Sequence, residues 1–126
     1  VMQVLDASAL LAFLHDEPGA DRVREALDGA VVSAVNWAEV VQKSLQRGVN
    51  ILGMRQEFAD IGVVFEPFSP DQAEVAAKLW QKTQPHGLSL ADRACLALAT
   101  DKGVPVLTAD RNWARLDLGI EVALLR

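Results

Sequence analysis

The sequence predicts an α/β fold in which a five-stranded, mainly parallel sheet is covered by helices on both faces. Short apolar segments alternate with stretches of helical periodicity, and the apolar segments are apolar throughout. Strands have this composition when helices bury both faces of a parallel sheet. The chain has 126 residues, which is the length of one domain, so we expect a single domain over 1–126.

Five strands and seven helical segments follow from this pattern. The predicted strands are 1–5, 30–33, 63–68, 104–108 and 120–124. Helices are predicted from apolar residues spaced by three and four, from N-caps and from glycine stops. They are 7–14, 20–27, 36–48, 50–62, 70–83, 89–102 and 111–116. Ser89 is the expected N-cap of the helix that ends at Lys102.

Several kinds of protein are disfavoured by composition. No apolar run approaches the roughly 20 residues needed to cross a bilayer, no secretory leader is recognisable, and the one cysteine cannot form an internal disulfide. We therefore expect a soluble cytoplasmic protein. A zinc site is disfavoured because His15, His86 and Cys95 lack ligand spacing. Gly-rich phosphate loops and nucleophile motifs are absent from the sequence.

Four acidic residues are predicted to meet at one edge of the sheet. Asp6 follows the first strand, Asp110 follows the fourth, and Glu39 and Asp92 lie on the first turns of helices. Strand C-termini and the helix N-termini that follow them share one edge of a parallel sheet. Asp92 departs from this rule because its helix precedes the fourth strand. A carboxylate such as Asp6 at the end of a buried strand is costly unless it is paired or bound.

Helix capping is the competing explanation for these acids. Ser89 with Asp92 and Asn36 with Glu39 both have the spacing of a capping box, and Asp110 could cap the segment that follows it. Each capping assignment is as good as a functional one when taken singly. Four acids at one edge with few bases beside them are harder to explain by capping alone.

Clustered carboxylates indicate a divalent metal ion. Their oxygens suit Mg²⁺ or Mn²⁺, and without a cation they would raise one another's pKa. Ser8 and Thr108 could add supporting hydroxyl contacts, and Arg93 and Arg111 could contact substrate phosphates or pair with the acid that each one follows. The net charge is −5, yet setting the four acids aside leaves 13 acidic against 12 basic residues. The acidic excess is thus largely the proposed site.

Four motifs around these acids occur in the order of a known family. They are VLDASAL at 4–10, SAVNWAEV at 33–40, GLSLADRA at 87–94 and VLTADR at 106–111. The chain resembles PIN-domain proteins, and in particular the VapC-type toxins of bacterial toxin–antitoxin pairs. Each motif alone is weak, but the ordered set is specific and the resemblance spans essentially the whole chain. Ala91, where the family often has Gly, is a small departure.

The resemblance implies a function and its components. Asp6, Glu39, Asp92 and Asp110 would be the metal-binding catalytic quartet, with Ser8 and Thr108 at the two hydroxyl positions. It further implies a five-stranded parallel sheet, Mg²⁺- or Mn²⁺-dependent RNA cleavage, homodimers and inhibition by a small antitoxin protein. Apolar residues between 36 and 62 are candidates for the antitoxin surface because they could exceed what one small core hides. They are Trp37, Val40, Val41, Met54 and Phe58.

Four alternatives can be considered at this point, and the sequence disfavours the last two. The chain could be a PIN nuclease of RNA processing rather than a toxin, or a module that binds a basic partner without turnover. A signalling receiver domain has a similar length and layout, but it needs an acid pair after the first strand and a Lys after the last. Here Asp6 stands alone and no Lys follows Thr108 or Leu124. The phosphatases of the haloacid type fail for the same lack of a second Asp.

Overall fold

The computed structural model describes residues 2–126, so the first residue of the predicted strand 1–5 lies outside the described residues. The strands are β1 Val4–Leu5, β2 Val31–Ser33, β3 Val64–Glu66, β4 Val106–Thr108 and β5 Val122–Leu124. The helices are α1 Ala7–Leu14, α2 Ala20–Ala26, α3 Ala34–Gln46, α4 Met54–Ile61, α5 Pro70–Lys78, α6 Trp80–Thr83 and α7 Leu90–Lys102. Turns of 3₁₀ helix span Gln84–His86 and Arg111–Arg115. Every helix in this part of the chain is too short or too polar to cross a membrane.

The five strands form one sheet in the order β3-β2-β1-β4-β5, and every pairing is parallel. The predicted parallel sheet is therefore confirmed. From β1 the chain first builds outward through β2 to β3, and then returns to place β4 on the other side of β1. The strand order thus reverses between β1 and β4, and such a switch point is where open parallel sheets form their sites.

Helices cover both faces of the sheet, as the sequence predicts. Successive residues of a strand point to opposite faces, and β1 illustrates the result. Leu5 packs in one core with Leu10 of α1 and Val40 of α3. Val4 packs in a second core with Leu96 of α7. The apolar strands are therefore buried above and below, which explains why they show no alternation with polar residues.

Two helices begin elsewhere than predicted. α3 begins at Ala34 and its N-cap is Ser33, whose hydroxyl accepts a hydrogen bond from the Val35 N–H. The prediction of Asn36 as the cap was wrong. α4 begins after Gly53, whose φ of 76° ends the preceding turn, and Asn50 instead accepts a bond from the Leu52 N–H within that turn. Asn36 and Asn50 were both plausible caps whose side chains are used for other bonds.

The predicted antitoxin surface between 36 and 62 is largely core. Val40, Met54 and Phe58 are buried, so they leave no apolar surface for a partner. Trp37 is partly buried because its ring packs edge-on against Phe58 and Phe65, with centroids 5.8 Å and 4.9 Å away. Three of the five predicted residues are therefore core residues, whereas Trp37 and Val41 are only partly buried. Other large apolar side chains of this region are exposed instead, and they are Leu45, Val49, Leu52 and Ile61.

Candidate active site at the ends of the first and fourth strands

Asp6 and Asp110 meet at the switch point of the sheet. Asp6 directly follows β1, and Asp110 lies two residues beyond the end of β4, the neighbouring strand. Thr108 links them, because its Oγ1 donates to Asp6 Oδ2 over 2.6 Å and accepts from the Asp110 N–H over 3.0 Å. The register of two parallel strands thus brings residues a hundred positions apart into one hydrogen-bonded chain.

Both carboxylate oxygens of Asp6 are held by hydrogen bonds. Oδ1 accepts from Ser8 Oγ at 2.7 Å and from the Ala9 N–H at 2.9 Å, while Oδ2 accepts from Thr108. Ser8 is itself fixed, since its Oγ accepts from the Ala109 N–H at 2.9 Å. The predicted hydroxyl contacts of Ser8 and Thr108 with a carboxylate are therefore present. Asp6 also caps α1, so its capping and site roles coincide.

Burial gives Asp6 an unusual affinity for protons. Its side chain is 5% exposed, and desolvation raises its pKa from 3.8 to about 6. The hydrogen bonds from Thr108, Ser8 and the Ala9 N–H oppose the rise, and the negative charge of Asp92 adds to it. The carboxylate is therefore well oriented, but its negative charge is not compensated by its surroundings. A cation beside it would relieve both causes of the rise.

Asp92 lies at the N-terminus of α7 in the predicted capping box. The Asp92 N–H donates to Ser89 Oγ over 3.1 Å, and the Ser89 N–H donates to Asp92 Oδ2 over 3.0 Å. This capping box is confirmed. It uses only one carboxylate oxygen, because Oδ1 accepts no hydrogen bond from any residue in 2–126. Capping therefore orients the carboxylate while leaving one oxygen available for a ligand.

Glu39 is held by Asn36 rather than by a helix start. Because α3 begins at Ala34, Glu39 lies on its second turn, and the predicted position on the first turn was wrong. Asn36 Nδ2 donates to Glu39 Oε1 over 3.2 Å and to the carbonyl oxygen of Ala91 over 3.1 Å. Asn36 is buried, and its amide joins α3 to the first turn of α7 next to Asp92. The sequence signal for this role was a polar residue one turn before an acid.

Asp110 repeats the arrangement of the other acids. Its Oδ1 accepts from the Asn112 N–H over 3.0 Å and caps the 3₁₀ turn, as predicted. Its Oδ2 has no hydrogen-bond partner in the described chain. Glu39 Oε2 is likewise free of such bonds. Three of the four acids thus have one oxygen held by the protein and one oxygen free.

The buried thiol of Cys95 is affected by the charges of three of the acids. Burial raises its pKa, and the charges of Asp6, Asp92 and Glu39 raise it further. All three carboxylates are therefore within electrostatic range of one point on α7. They are not closely clustered, since no three His, Cys, Asp or Glu side chains among residues 2–126 lie near enough to hold one ion together. Cys95 itself is a small buried apolar residue, as the sequence indicates.

The donor set nevertheless suits a hard divalent cation. All its free atoms are carboxylate oxygens, and Asp6 lies under uncompensated negative charge from Asp92. Mg²⁺ is commonly held by one or two carboxylates with water and phosphate oxygens completing its octahedral shell. Three direct ligands are therefore not required. Asp6, whose pKa the charge of Asp92 helps to raise, and Asp92 itself are the residues that fit such an ion best.

The two arginines next to the acids differ in their surroundings. Arg93 Nη1 donates to the carbonyl oxygen of Ala76 over 3.0 Å, which joins α7 to α5. Arg111 is exposed. Within residues 2–126 neither arginine forms an ion pair with the acid that it follows. Phosphate binding by Arg93 and Arg111 stays a prediction, and Arg93 would have to release α5 to take part.

The fold and the acids define an α/β protein with a carboxylate site at the switch point of a parallel sheet. The model of the PIN domain family matches residues 4–118, which is most of the chain. The chain therefore belongs to the PIN-domain family. This match includes all four acids and both hydroxyl residues of the site.

Individual relatives agree with this assignment. Ribonuclease VapC42 of Mycobacterium tuberculosis is 29% identical over 126 aligned residues, covering 91% of this chain and 95% of the relative. A toxin-antitoxin complex from Klebsiella pneumoniae has a chain with a TM-score of 0.74 at 21% identity, covering 98% of both chains. VapC20 of M. tuberculosis, described as a Sarcin-Ricin loop cleaving toxin, has a TM-score of 0.72 at 14% identity, covering 96% of this chain and 99% of that one. The two structures support the fold.

Proposed function

We propose that this protein is a divalent-metal-dependent endoribonuclease and the toxin of a toxin–antitoxin pair. The observation that carries the proposal is the carboxylate site, in which Asp6 is fixed by two hydroxyls at the switch point and the charge of Asp92 is near enough to raise its pKa. The names of the relatives agree with it, since one is a ribonuclease and another a toxin that cleaves an RNA loop. Metal-assisted hydrolysis of a phosphodiester uses oriented carboxylates to hold the ion and needs no nucleophilic side chain.

The proposed mechanism assigns a part to each residue. Asp6 and Asp92 would hold Mg²⁺ or Mn²⁺, which when bound lowers the pKa of water and offsets charge on the phosphate. Ser8 and Thr108 keep the Asp6 carboxylate in one orientation. The free oxygens of Glu39 and Asp110 would contact the water ligands of the ion, or orient the attacking water and accept its proton. In-line attack would leave 5′-phosphate and 3′-hydroxyl ends.

The test is cleavage of a structured RNA by matched variants of α7. Asp92→Asn removes one charge at the site, and Asp101→Asn makes the same substitution at an exposed position of the same helix. We expect Asp92→Asn to lower kcat/KM by at least about 100-fold, the usual effect of removing one charge-stabilising group. Asp101→Asn should match the wild type, and a chelator should stop cleavage until Mg²⁺ or Mn²⁺ is added back. Equal activity of the two variants, or indifference to chelator, would refute the proposal.

An antitoxin partner is part of the proposal. The Klebsiella chain with the same fold comes from a toxin-antitoxin complex. This chain also has a groove of about 300 Å³ between α3 and α4, with Trp37, Val41 and Ile51 among its lining residues. Apolar side chains in such a groove are suited to an amphipathic partner segment. A short reading frame directly upstream in the genome would favour a toxin over a nuclease of RNA processing, and its absence would favour the latter.

We further propose that the protein is a homodimer. Large apolar side chains remain exposed on the surface, and Trp80 and Leu90 are each 55% exposed. Exposed apolar groups of this size commonly mark surfaces that a partner covers. The molar mass from light scattering measures the state directly, and a mass of 13.6 kDa would refute the dimer.

A further inference from the structure

A groove of about 390 Å³ opens beside the carboxylate site, and three of its seven lining residues are basic. It meets the site at Ser8, whose hydroxyl donates to Asp6. Lys43 and Arg47 of the α3 region and Arg126 supply its positive charge, and Glu17 supplies its negative charge. We refer to this surface as the cationic groove. Its position means that a chain leaving the carboxylate site on the Ser8 side enters it directly.

Two of the three basic side chains in the groove are not neutralised by the protein. Arg126 Nη2 lies 3.4 Å from Glu17 Oε1, and its Nη1 donates to the carbonyl oxygen of Pro18 over 2.7 Å. Lys43 and Arg47, in contrast, form no salt bridge with any residue in 2–126. In a protein with a net charge of −5, two unpaired cations in one groove are a local reversal of the overall sign.

These two cations continue a line that begins at the site. Glu39, Lys43 and Arg47 are spaced by four residues, and such residues lie on the same face of a helix. A helix rises 1.5 Å per residue, so Lys43 and Arg47 follow Glu39 at about 6 Å and about 12 Å along the axis of α3. A polyanion that extends from the carboxylate site along α3 would therefore meet one cation and then the next.

We propose that the cationic groove binds the backbone phosphates of the RNA on one side of the scissile bond, with Lys43 and Arg47 each contacting a phosphate. This inference rests on the proposed ribonuclease function. Arg47 can bind two phosphate oxygens through its planar guanidinium, and Lys43 acts as a point charge. Phosphate contacts carry no sequence information. The groove therefore supplies affinity and register on the enzyme, and it does not select the bases that are cut.

RNA is a better ligand for the cationic groove than an acidic protein segment, because the groove is continuous with the carboxylate site at Ser8. Ser8 belongs to both surfaces, so a substrate that places a phosphodiester at Asp6 can extend past Ser8 directly into the groove. An acidic peptide would also suit the basic groove, but it has no phosphodiester on which an ion held by the carboxylates would act. A nucleic acid carries its reacting phosphate to those carboxylates and its neighbouring phosphates to the cations.

The test compares two double variants that remove the same charge. Lys43→Gln/Arg47→Gln alters the groove, and Lys78→Gln/Lys82→Gln alters two exposed lysines in the last turns of α5 and α6, outside the groove. Both are made in the wild type for kinetics and in Asp92→Asn for binding, so that bound RNA stays intact. The binding probe is a fluorescein-labelled, randomised single-stranded RNA of 12 nucleotides, titrated at several salt concentrations without divalent ions.

The groove variant should raise the Kd for this RNA at least about 10-fold, since each lost charge-assisted hydrogen bond contributes to affinity. The slope of log affinity against log salt should become shallower by about 1.4, because single strands lose about 0.7 per phosphate contact. In cleavage, KM should rise while kcat at saturating RNA stays unchanged. The control variant should match its parent in all three measurements.

The failure of this inference is distinguishable from failure of the ribonuclease proposal. If the wild type cleaves RNA and the groove variant equals the control in Kd, salt slope and KM, the groove assignment is overturned. It is also overturned if RNA binding is unchanged while binding of a labelled 12-residue polyglutamate is lost, since the groove then serves an acidic protein segment. If the wild type does not cleave but the groove variant still loses RNA affinity and slope, the groove stands as an RNA site and the ribonuclease proposal fails.

Discussion

At the scale of single residues, burial and hydrogen bonding have opposite effects on the pKa of Asp6. Two hydroxyls and one N–H hold its oxygens in place, which favours the charged form, yet burial outweighs them and raises its pKa to about 6. Such a residue costs stability in the free protein at neutral pH. The cost has a functional consequence, because it makes a cation at this point more favourable than at an exposed carboxylate.

The raised pKa of Asp6 predicts a characteristic pH dependence of stability. Between the ordinary value of 3.8 and about 6, the folded state retains a proton that the unfolded chain has released. Stability from this residue is therefore greatest below pH 4 and falls as the pH rises through 6. We expect wild type to gain about 2 kcal/mol relative to Asp6→Asn when the pH is lowered from 7.5 to 4.5, following the linkage relation.

Urea unfolding in the presence of a chelator measures this difference at each pH. In Asp6→Asn an amide nitrogen can lie opposite the Thr108 hydroxyl, which lowers stability by an amount that does not depend on pH. Comparing how the free energy of unfolding changes with pH in the two proteins removes this constant difference. Asp101→Asn, which removes one exposed charge, should run parallel to wild type over the same range. A stability difference between wild type and Asp6→Asn that does not change with pH would contradict the assignment.

At the scale of elements, the junction of α3 and α7 depends on one amide. Asn36 contacts Glu39 within its own helix and the Ala91 carbonyl of the other, so a single side chain sets both the orientation of an acid and the approach of two helices. Its Oδ1 is buried without a hydrogen-bond partner in the described chain, which adds to the cost of the arrangement. A buried polar group with this cost is retained more readily for position than for stability.

Replacing Asn36 should therefore affect activity through Glu39. Asn36→Ala removes both bonds, and we expect it to destabilise the fold by about 1–3 kcal/mol and to lower kcat/KM about 10- to 100-fold. Asn36→Asp should be worse, because it places a carboxylate against Glu39 and a carbonyl. Asn50→Ala, which removes only a local bond to Leu52, is the control. Unchanged kcat/KM in Asn36→Ala would show that Glu39 needs no orientation by this residue.

The success of sequence-based prediction varied with the kind of element. The cap of α7 was predictable because Ser89 and Asp92 are the only residues there with capping spacing, and the box is confirmed. The cap of α3 was not, because Ser33 and Asn36 are both good caps and the choice depends on a contact with Ala91 that lies 55 positions away. Local patterns identify candidates, and tertiary contacts choose among them.

At the scale of the whole molecule, the site results from strand order. Alternating apolar strands and helices predict a parallel sheet, but strands of two or three residues carry no signal for which ones are neighbours. The pairing of β1 with β4 is what brings Thr108 to Asp6. The sequence indicated both hydroxyls as supporting contacts, but not which carboxylate oxygen each one would bind. The positions of the acids after the strands were sufficient to predict at which edge of the sheet the site lies. They did not predict the hydrogen bonds that hold Asp6.

Because Asp6 follows β1 and Asp92 lies on the first turn of α7, an ion that binds both is held only by the folded chain and should stabilise the entire fold. A ligand that binds only the folded state adds about 1.4 kcal/mol at ten times its Kd, which corresponds to roughly 5 °C for a domain of this size. We expect Mg²⁺ to raise the Tm of the wild type by this amount in the absence of RNA. Asp92→Asn should lose the shift, whereas Asp101→Asn, with the same change of charge on the same helix, should keep it. Equal shifts in the two variants would mean that Mg²⁺ acts through general screening, and would contradict a metal site at Asp92.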